Sequence, residues 1–352
     1  MSQGAQTWRF PRMFWTGNAA ELCERAAYYG TFIALRTYLI RVVGLNDVEA
    51  GAVSAYFAGW IYLVPFFTGA MADRIGFRPS LLMAFALLTV GYGSLGVFNT
   101  LGPVLVGLTL IILGGAIVKP VISGTVSKSS NEATRARAFS IFYMVVNIGS
   151  FTGKTIVAPI RIDMGVENVP YFSAAASLVA LIVVALFYFP DKDARTGKAD
   201  TVTEPRPGMW LAMSNLRFLA LILITAGFWA IQGQLYFAMP EYVLRMAGET
   251  YKPEWYANIN PLVVVIFVVM ITQMVRKWKP QNSILVAMLM IPVSALTMAM
   301  SAQFSQNIEI LGLSVHPITF MMVIGIAIQG LAECFISPKW LEFASLQAPP
   351  GK

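Results

Sequence analysis

The sequence predicts an all-α integral membrane protein with about ten transmembrane helices and a cytoplasmic N-terminus. Of its 352 residues, 57% are hydrophobic and only 12% are charged, whereas a soluble globular chain carries about 25% charged residues. The mean hydropathy of +0.65 points the same way. This composition excludes an ordinary soluble enzyme, a disordered chain and a nucleic-acid-binding protein.

Ten apolar segments reach the length of about 20 residues that a helix needs to cross a bilayer. We read them as helices because lipid offers no hydrogen-bond partners to the backbone, and the sequence lacks the alternation of barrel strands. The predicted spans are approximately 14–40, 48–71, 78–98, 102–126, 138–160, 170–189, 217–240, 256–275, 283–303 and 316–345. The first span carries charged residues, so we expect a retained helix rather than a cleaved signal peptide.

The distribution of basic residues predicts the orientation. With the N-terminus inside, sixteen Lys and Arg residues fall in the inner loops and termini and four in the outer loops. This asymmetry follows the positive-inside rule. The formal net charge of +7 is therefore explained by membrane orientation, without an acidic ligand or a nucleic acid. We expect a multi-pass protein of the cell membrane, surrounded by the lipid bilayer.

One long polar stretch divides the chain. Residues 190–216, PDKDARTGKADTVTEPRPGMWLAMSNL, are rich in Pro, Gly and charge, as linkers are. The sequence therefore predicts a six-helix bundle over 1–189, a cytoplasmic linker over 190–216 and an incomplete four-helix bundle over 217–352.

The sequence gives no sign of an enzyme, a metal site or an organic cofactor. Cys23, Cys334 and His316 are too few for a metal cluster or a disulfide framework, and we find no nucleophile paired with a base. GYGSLG at 91–96 lies in an apolar helix without a preceding strand, so we interpret its glycines as packing positions. GSFTG at 149–153 has the small-xxx-small spacing of close helix contacts.

A polar stripe runs along the first predicted helix. Its members, at positions i, i+3, i+4, i+7 and i+8, are Glu21, Glu24, Arg25, Tyr28 and Tyr29, which share one helical face. Ionisable residues at membrane depth normally face a partner or a water-filled path. Lys119 on the fourth helix is the nearest candidate counter-charge. A structural ion-pair network is one interpretation, and we favour the other, a proton relay.

Seven segments resemble, in order, motifs of the proton-dependent oligopeptide transporters within the major facilitator superfamily. They are ELCERAAYYG (21–30), GAMADRIGFR (69–78), VKPVIS (118–123), FSIFYMVVNIGSF (139–151), GFWAIQGQ (227–234), NINPL (258–262) and AECFISPKWLEFASLQAP (332–349). The resemblance implies major facilitator-type bundles and proton-coupled symport of di- and tripeptides, or similar small zwitterions, by alternating access. Family members have twelve helices and this chain supports ten. We therefore expect a truncated or split form that transports poorly until the last two helices are supplied.

The resemblance also implies roles for individual residues. Glu21, Glu24 and Arg25 would couple protons to transport, with Lys119 as their partner and the proton as the coupling ion. The implied peptide-site residues are Tyr28, Tyr29, Tyr62, Asn147, Asn260 and Glu333. The implied gating-loop residues are Asp73, Arg74 and Arg78. Acidic and amide groups suit a substrate ammonium, whereas Arg25 and Lys119 suit its carboxylate. Trp229, away from the predicted helix ends, is a further candidate for the cavity floor.

Three positions depart from the family pattern. Phe32 stands where the family usually has Arg, Gly233 where it has an acid, and Lys154 where it commonly has Pro. Lys154 lies seven residues after Asn147 on the same helical face, so it is a candidate to replace the lost Arg. These changes leave two alternatives open: a proton-coupled carrier of another small organic solute, and a transport-inactive receptor or scaffold with the same fold.

Overall fold

The computed structural model describes residues 10–130, 134–189, 216–304, 306–310 and 312–347. The chain divides into two compact units, residues 1–202 and 203–352. The predicted linker 190–216 lies outside the described residues except for Leu216, so the domain boundaries remain a prediction.

Seven α-helices make up the described part of the first unit. They are α1 (Arg12–Arg41), α2 (Asp47–Leu63), α3 (Pro65–Ile75), α4 (Phe77–Val97), α5 (Leu101–Lys128), α6 (Arg135–Pro159) and α7 (Val169–Phe187). A π-helical turn, Ile160–Met164, and a short 3₁₀ turn, Val166–Asn168, join α6 to α7. Asn46 caps the N-terminus of α2 in a capping box, because its side chain accepts hydrogen bonds from the backbone amides of Val48 and Glu49.

Among its described residues, the second unit contains six α-helices, a 3₁₀ turn at Met300–Gln303 and a small hairpin. The helices are α8 (Leu216–Phe237), α9 (Met239–Ala247), α10 (Pro253–Tyr256), α11 (Ile259–Met274), α12 (Pro280–Ala299) and α13 (Pro317–Gln347). Strands β1 (Ile308–Ile310) and β2 (Leu313–Val315) pair antiparallel between α12 and α13. This hairpin is the one addition to the predicted helical pattern among the described residues.

All ten predicted spans fall on helices. By length and composition, seven helical segments of the described chain suit a membrane span: Phe77–Val97, Leu101–Lys128, Ile141–Met164, Val166–Phe187, Pro253–Met274, Gln281–Gln303 and Pro317–Ile336. The other predicted spans lie on α1, which carries the charged stripe, on α8, and on the pair α2 and α3. That pair was predicted as one helix, 48–71, but Pro65 has no amide hydrogen, and α2 ends at Leu63.

Helix α1 lies at the centre of the first unit, packed against α2, α5, α6 and α7. Its contact with α6 is close because α6 presents glycines there. A Cβ at Gly153 would overlap the carbonyl oxygen of Ala26, and one at Gly149 would lie 2.7 Å from the Cβ of Arg25. The predicted packing role of GSFTG is therefore confirmed. This contact fixes the face that α1 turns away from α6.

Small residues also mediate the contact of α4 with α5. A Cβ at Gly91 would lie 2.9 Å from the carbonyl oxygen of Gly107, and one at Gly96 would lie 2.7 Å from the Tyr171 ring of α7. Two of the three glycines of GYGSLG, Gly91 and Gly96, thus serve helix packing, as the sequence predicted, whereas a Cβ at Gly93 would meet nothing within 4 Å. In the second unit, α13 packs along α11 and α12, with Phe228, Ile291 and Ile336 in one buried apolar cluster.

Candidate functional site

The charged stripe of α1 forms a buried cluster of two acids around one base. Arg25 Nε lies 3.2 Å from Glu21 Oε1, and the same guanidinium donates hydrogen bonds to Glu24. The side chains of both acids are only 1% exposed. The i, i+3 and i+4 spacing places the three groups within reach of one another on a single helix.

The cluster carries more negative than positive charge when both acids are ionised. One guanidinium balances one carboxylate, and the second leaves an excess charge in a buried environment, which is costly. In addition, Glu21 Oε2 is buried without a hydrogen-bond partner. A proton on one of the two carboxyl groups would remove the excess charge, so the cluster is suited to bind one proton.

A cavity of about 360 Å³ lies against this cluster within the first unit. Its lining residues come from four helices and are Glu24, Arg25, Tyr28, Tyr29, Ile61, Tyr62, Pro65, Gly115 and Lys119. A Cβ at Gly115 would lie 3.1 Å from Ile61 Cδ1 and 3.9 Å from Glu24 Oε1. Glycine at this position therefore keeps the cavity open beside the Glu24 carboxylate.

Lys119 brings a second positive charge to the same cavity. The residue is exposed, and its Nζ lies 5.8 Å from the centroid of the Tyr62 ring, a cation–π distance. Among the described side chains, no ion pair joins Lys119 to Glu21 or Glu24, because Arg25 holds both acids here. The pairing of Lys119 with an acid therefore stays a prediction for another conformational state.

Tyr28, which lines the cavity, belongs to a stack of aromatic rings beside the charged cluster. The Arg25 guanidinium carbon lies 5.3 Å from the Tyr28 ring centroid, and Tyr28 stacks on Phe32 at 5.1 Å and on Phe57 at 6.2 Å. Phe32 is buried, with 6% exposure. The position where the family resemblance implies Arg is thus part of an apolar stack.

Two predicted substrate-binding residues of α6 lie outside the lining of this cavity. Lys154 is fully buried, with its Nζ 5.7 Å from the centroid of the Tyr29 ring. Tyr29 therefore connects Lys154 to the cavity. The Asn147 amide donates to the carbonyl oxygen of Tyr143, one turn earlier on the same helix, at 2.8 Å.

In the second unit, three polar side chains from three helices meet at Glu333. The Glu333 carboxylate on α13 accepts hydrogen bonds from Gln232 of α8 at 3.1 Å and from Asn260 of α11 at 3.3 Å. The sequence predicted Asn260 and Glu333 but not Gln232, whose Oε1 is buried without a partner. Trp229 is 46% exposed and contacts Phe228 edge to face.

Comparison with known families decides the identity of the fold. The family model of the Major Facilitator Superfamily matches residues 19–352. The chain belongs to this superfamily. Together with the apolar helices, the match makes it an all-α, multi-pass protein of the cell membrane that belongs to a family of transporters and not of enzymes.

Curated relatives confirm the resemblance to the oligopeptide transporters. The chain is 31% identical over 188 residues to a di-/tripeptide transporter of Lactococcus lactis subsp. cremoris, a match covering 51% of this chain and 37% of that protein. It is 28% identical over 177 residues to solute carrier family 15 member 2 of Rattus norvegicus, covering 47% of this chain and 24% of that protein. The matched region thus spans well under half of each relative.

Solved structures share the fold over nearly the whole chain. A crystal structure of a peptide transporter POT in complex with sulfate has a TM-score of 0.77 at 22% identity, covering 97% of this chain and 83% of that one. A POT family transporter in complex with 5-aminolevulinic acid has a TM-score of 0.70 at 18% identity, covering 97% and 85%. These matches confirm the major facilitator-type architecture.

The predicted gating loop of this major facilitator protein lies where α3 meets α4. Arg74 is exposed in the last turn of α3, whereas the side chain of Asp73 lies outside the described residues. Arg78 donates to the carbonyl oxygen of Ala185 at 2.9 Å and lies over the Phe189 ring at 4.5 Å. Arg78 therefore ties the start of α4 to the end of α7, and its role in gating remains a prediction.

Proposed function

We propose that this chain is a proton-coupled symporter of di- and tripeptides or similar small zwitterions, working by alternating access. The observation that carries the proposal is the buried pair of acids sharing one guanidinium at the wall of a cavity that also holds Lys119. The similarity to the di-/tripeptide transporter of Lactococcus lactis subsp. cremoris supports the substrate class.

The charges suggest how proton binding and substrate binding are linked. When both acids are ionised, their excess negative charge attracts the Lys119 ammonium across the cavity. When a proton neutralises one acid, Lys119 is released and can bind the carboxylate of a substrate. Because one lysine serves both partners, the proton and the substrate each favour binding of the other.

The chemistry of the remaining candidates fits a zwitterion. Glu333, held by two amide donors, keeps acceptor capacity for a substrate ammonium. Tyr28, Tyr29 and Tyr62 offer hydroxyl groups and ring faces that tolerate different side chains. The cavity volume of about 360 Å³ falls in the range of small-molecule sites. Protons are the coupling ion in this proposal.

The decisive measurement is gradient-driven uptake of a labelled dipeptide into proteoliposomes. With an inward proton gradient, the chain should accumulate the dipeptide above its outside concentration, and the dipeptide should drive proton entry. Binding of the dipeptide without proton flux would replace the symporter with the receptor or scaffold alternative.

A different organic solute is the second candidate, and two positions favour it. Phe32 builds an apolar stack with Tyr28 where the family usually has a cation. A Cβ at Gly233 would contact only the Phe237 ring among its described surroundings, at 3.6 Å, so the acid usual in the family is replaced by open space. A competition panel of dipeptides, tripeptides, amino acids and organic anions against one labelled substrate distinguishes the two candidates.

A further inference from the structure

Helix α5 contains a proline directly after Lys119. Pro120 lies within the 28-residue helix Leu101–Lys128. A proline inside a helix cannot donate to the carbonyl oxygen four residues earlier, which here belongs to Ala116. Within a membrane, an unpaired carbonyl is costly and needs another donor.

Thr68 of the neighbouring helix α3 supplies that donor. Its hydroxyl donates to the carbonyl oxygen of Ala116 at 2.7 Å, and the side chain is 7% exposed. Other helical hydroxyls of this unit, such as those of Ser54 and Thr89, instead donate to their own helix four residues earlier. Thr68 therefore ties α3 to α5 at the carbonyl that the proline leaves unpaired.

This hydrogen bond lies at the level of the cavity. Lys119 precedes Pro120 and follows Ala116 by three residues, so it shares one helical turn with the bonded carbonyl. Pro65, three residues before Thr68 on α3, lines the cavity together with Lys119. The bond thus joins the two helices where they form the cavity wall.

The space around the proline allows α5 to bend. A second cavity, of about 240 Å³, is bordered by Ala72 of α3 and by Pro120, Val121 and Gly124 of α5. Helices commonly kink at proline because a ladder hydrogen bond is missing. A kink at Pro120 would change the direction in which Lys119 enters the first cavity.

We propose that Thr68 is a positioning residue, which holds α5 at its proline and thereby sets the approach of Lys119 to the cavity. The consequence for transport rests on the proposed function, because it assigns Lys119 a part in coupling. The positioning itself concerns only the geometry of α5 and can be measured without transport.

The first experiment measures how readily a cysteine at position 119 reacts with a maleimide. Both native cysteines are first removed by Cys23→Ser and Cys334→Ser. In this background, a Lys119→Cys variant and a Tyr62→Cys variant are each labelled with a maleimide. The measured quantity is the labelling ratio, which is the labelling rate at position 119 divided by the rate at position 62. Thr68→Val should change this ratio about fivefold, as expected from one buried hydrogen bond, and Thr68→Ser should leave it near the starting value. An equal ratio in Thr68→Val would overturn the positioning role.

Pro120→Ala supplies the matched control, because alanine restores an amide hydrogen for the Ala116 carbonyl. In the Pro120→Ala background, Thr68→Val should no longer change the labelling ratio. If Thr68→Val acts equally in both backgrounds, Thr68 serves ordinary packing and the proposal is wrong.

Transport assays then separate this proposal from the proposed function. If the parent chain shows dipeptide-driven proton uptake, Thr68→Val should shift the pH profile of uptake, and Thr68→Ser should restore it. An unchanged pH profile would overturn the link to coupling. Failure of the parent to move protons would instead count against the proposed function, while the labelling cycle would still decide the role of Thr68.

Discussion

At the scale of single residues, Glu24 combines burial with access to the cavity. Its side chain is 1% exposed, it lines the cavity, and it shares Arg25 with Glu21. We expect Glu24→Gln, which keeps the shape but cannot ionise, to abolish uphill accumulation of a dipeptide while exchange without a gradient continues. Under a gradient of about one pH unit, one-proton coupling allows about tenfold accumulation, so the variant should fall to equal concentrations on both sides.

The matched control is Glu167→Gln, which removes an exposed carboxylate from the 3₁₀ turn before α7. It should accumulate substrate as the parent does. Undiminished accumulation by Glu24→Gln would remove Glu24 from the coupling mechanism.

Lys154 is expected to strengthen the binding of substrates that carry a carboxylate. Its ammonium is buried next to Tyr29, so it can contribute positive potential at the cavity wall. A unit charge at the wall of a partly buried site contributes on the order of 1 kcal/mol at an effective dielectric constant of about 20, or about fivefold to tenfold in affinity. Lys154→Gln should therefore weaken a dipeptide about fivefold to tenfold in competition assays and its C-terminally amidated analogue much less. Lys154→Met should have the same effect as Lys154→Gln. If the affinities for the dipeptide and for its amidated analogue fall equally, Lys154 has only a structural role.

The sequence predicted only part of this site, because a sequence pattern shows which residues are neighbours on one helix but not which residues of different helices meet. Glu21, Glu24 and Arg25 are near neighbours on one helix, so their spacing alone predicts the cluster. Gln232 meets Glu333 across 101 positions of the chain, and a single amide in an apolar helix has no periodic signal. Thr68 was missed for the same reason, because its hydrogen-bond partner Ala116 lies 48 positions away along the chain.

At the scale of elements, hydropathy predicted the helices but not their interruptions. The spans follow from composition, since each needs only a run of apolar residues. Two interruptions were missed: the end of α2 before Pro65 and the π-helical turn Ile160–Met164. Both depend on which backbone groups find hydrogen-bond partners, and packing between helices decides this. The β1–β2 hairpin is only three residues per strand, too short for an alternating pattern to be distinctive.

The contact of α1 with α6 gives the prediction at this scale. A Cβ at Gly153 would overlap the backbone of Ala26, so Gly153→Ala should push the helices apart at the charged cluster. We expect a loss of about 1–3 kcal/mol in stability, as for overpacked cores, and a fall in uptake. Gly93→Ala is the control, because nothing lies within 4 Å of a Cβ there. Thermal unfolding in detergent checks both, and an unchanged melting temperature in Gly153→Ala would contradict the close approach.

At the scale of the whole molecule, basic residues predict which loops lie inside. Arg245 and Lys252 lie in the predicted outer loop between α8 and α11, and Arg276, Lys277 and Lys279 lie in the predicted inner loop after α11. The helical segment Pro253–Met274 between the two loops is long and apolar enough to cross a membrane. The charge bias and the helix length are independent properties of the sequence, and both place the two loops on opposite sides.

Cysteine labelling in intact cells tests this orientation. Glu249 and Lys277 are exposed residues of the two loops, and each is replaced by cysteine in a background with Cys23→Ser and Cys334→Ser. A membrane-impermeant maleimide should label the Glu249→Cys variant in intact cells and the Lys277→Cys variant only after permeabilisation, because positive charge is retained on the cytoplasmic side. Labelling of both from one side would show that 253–274 does not cross the membrane, and the reverse pattern would show an inverted chain.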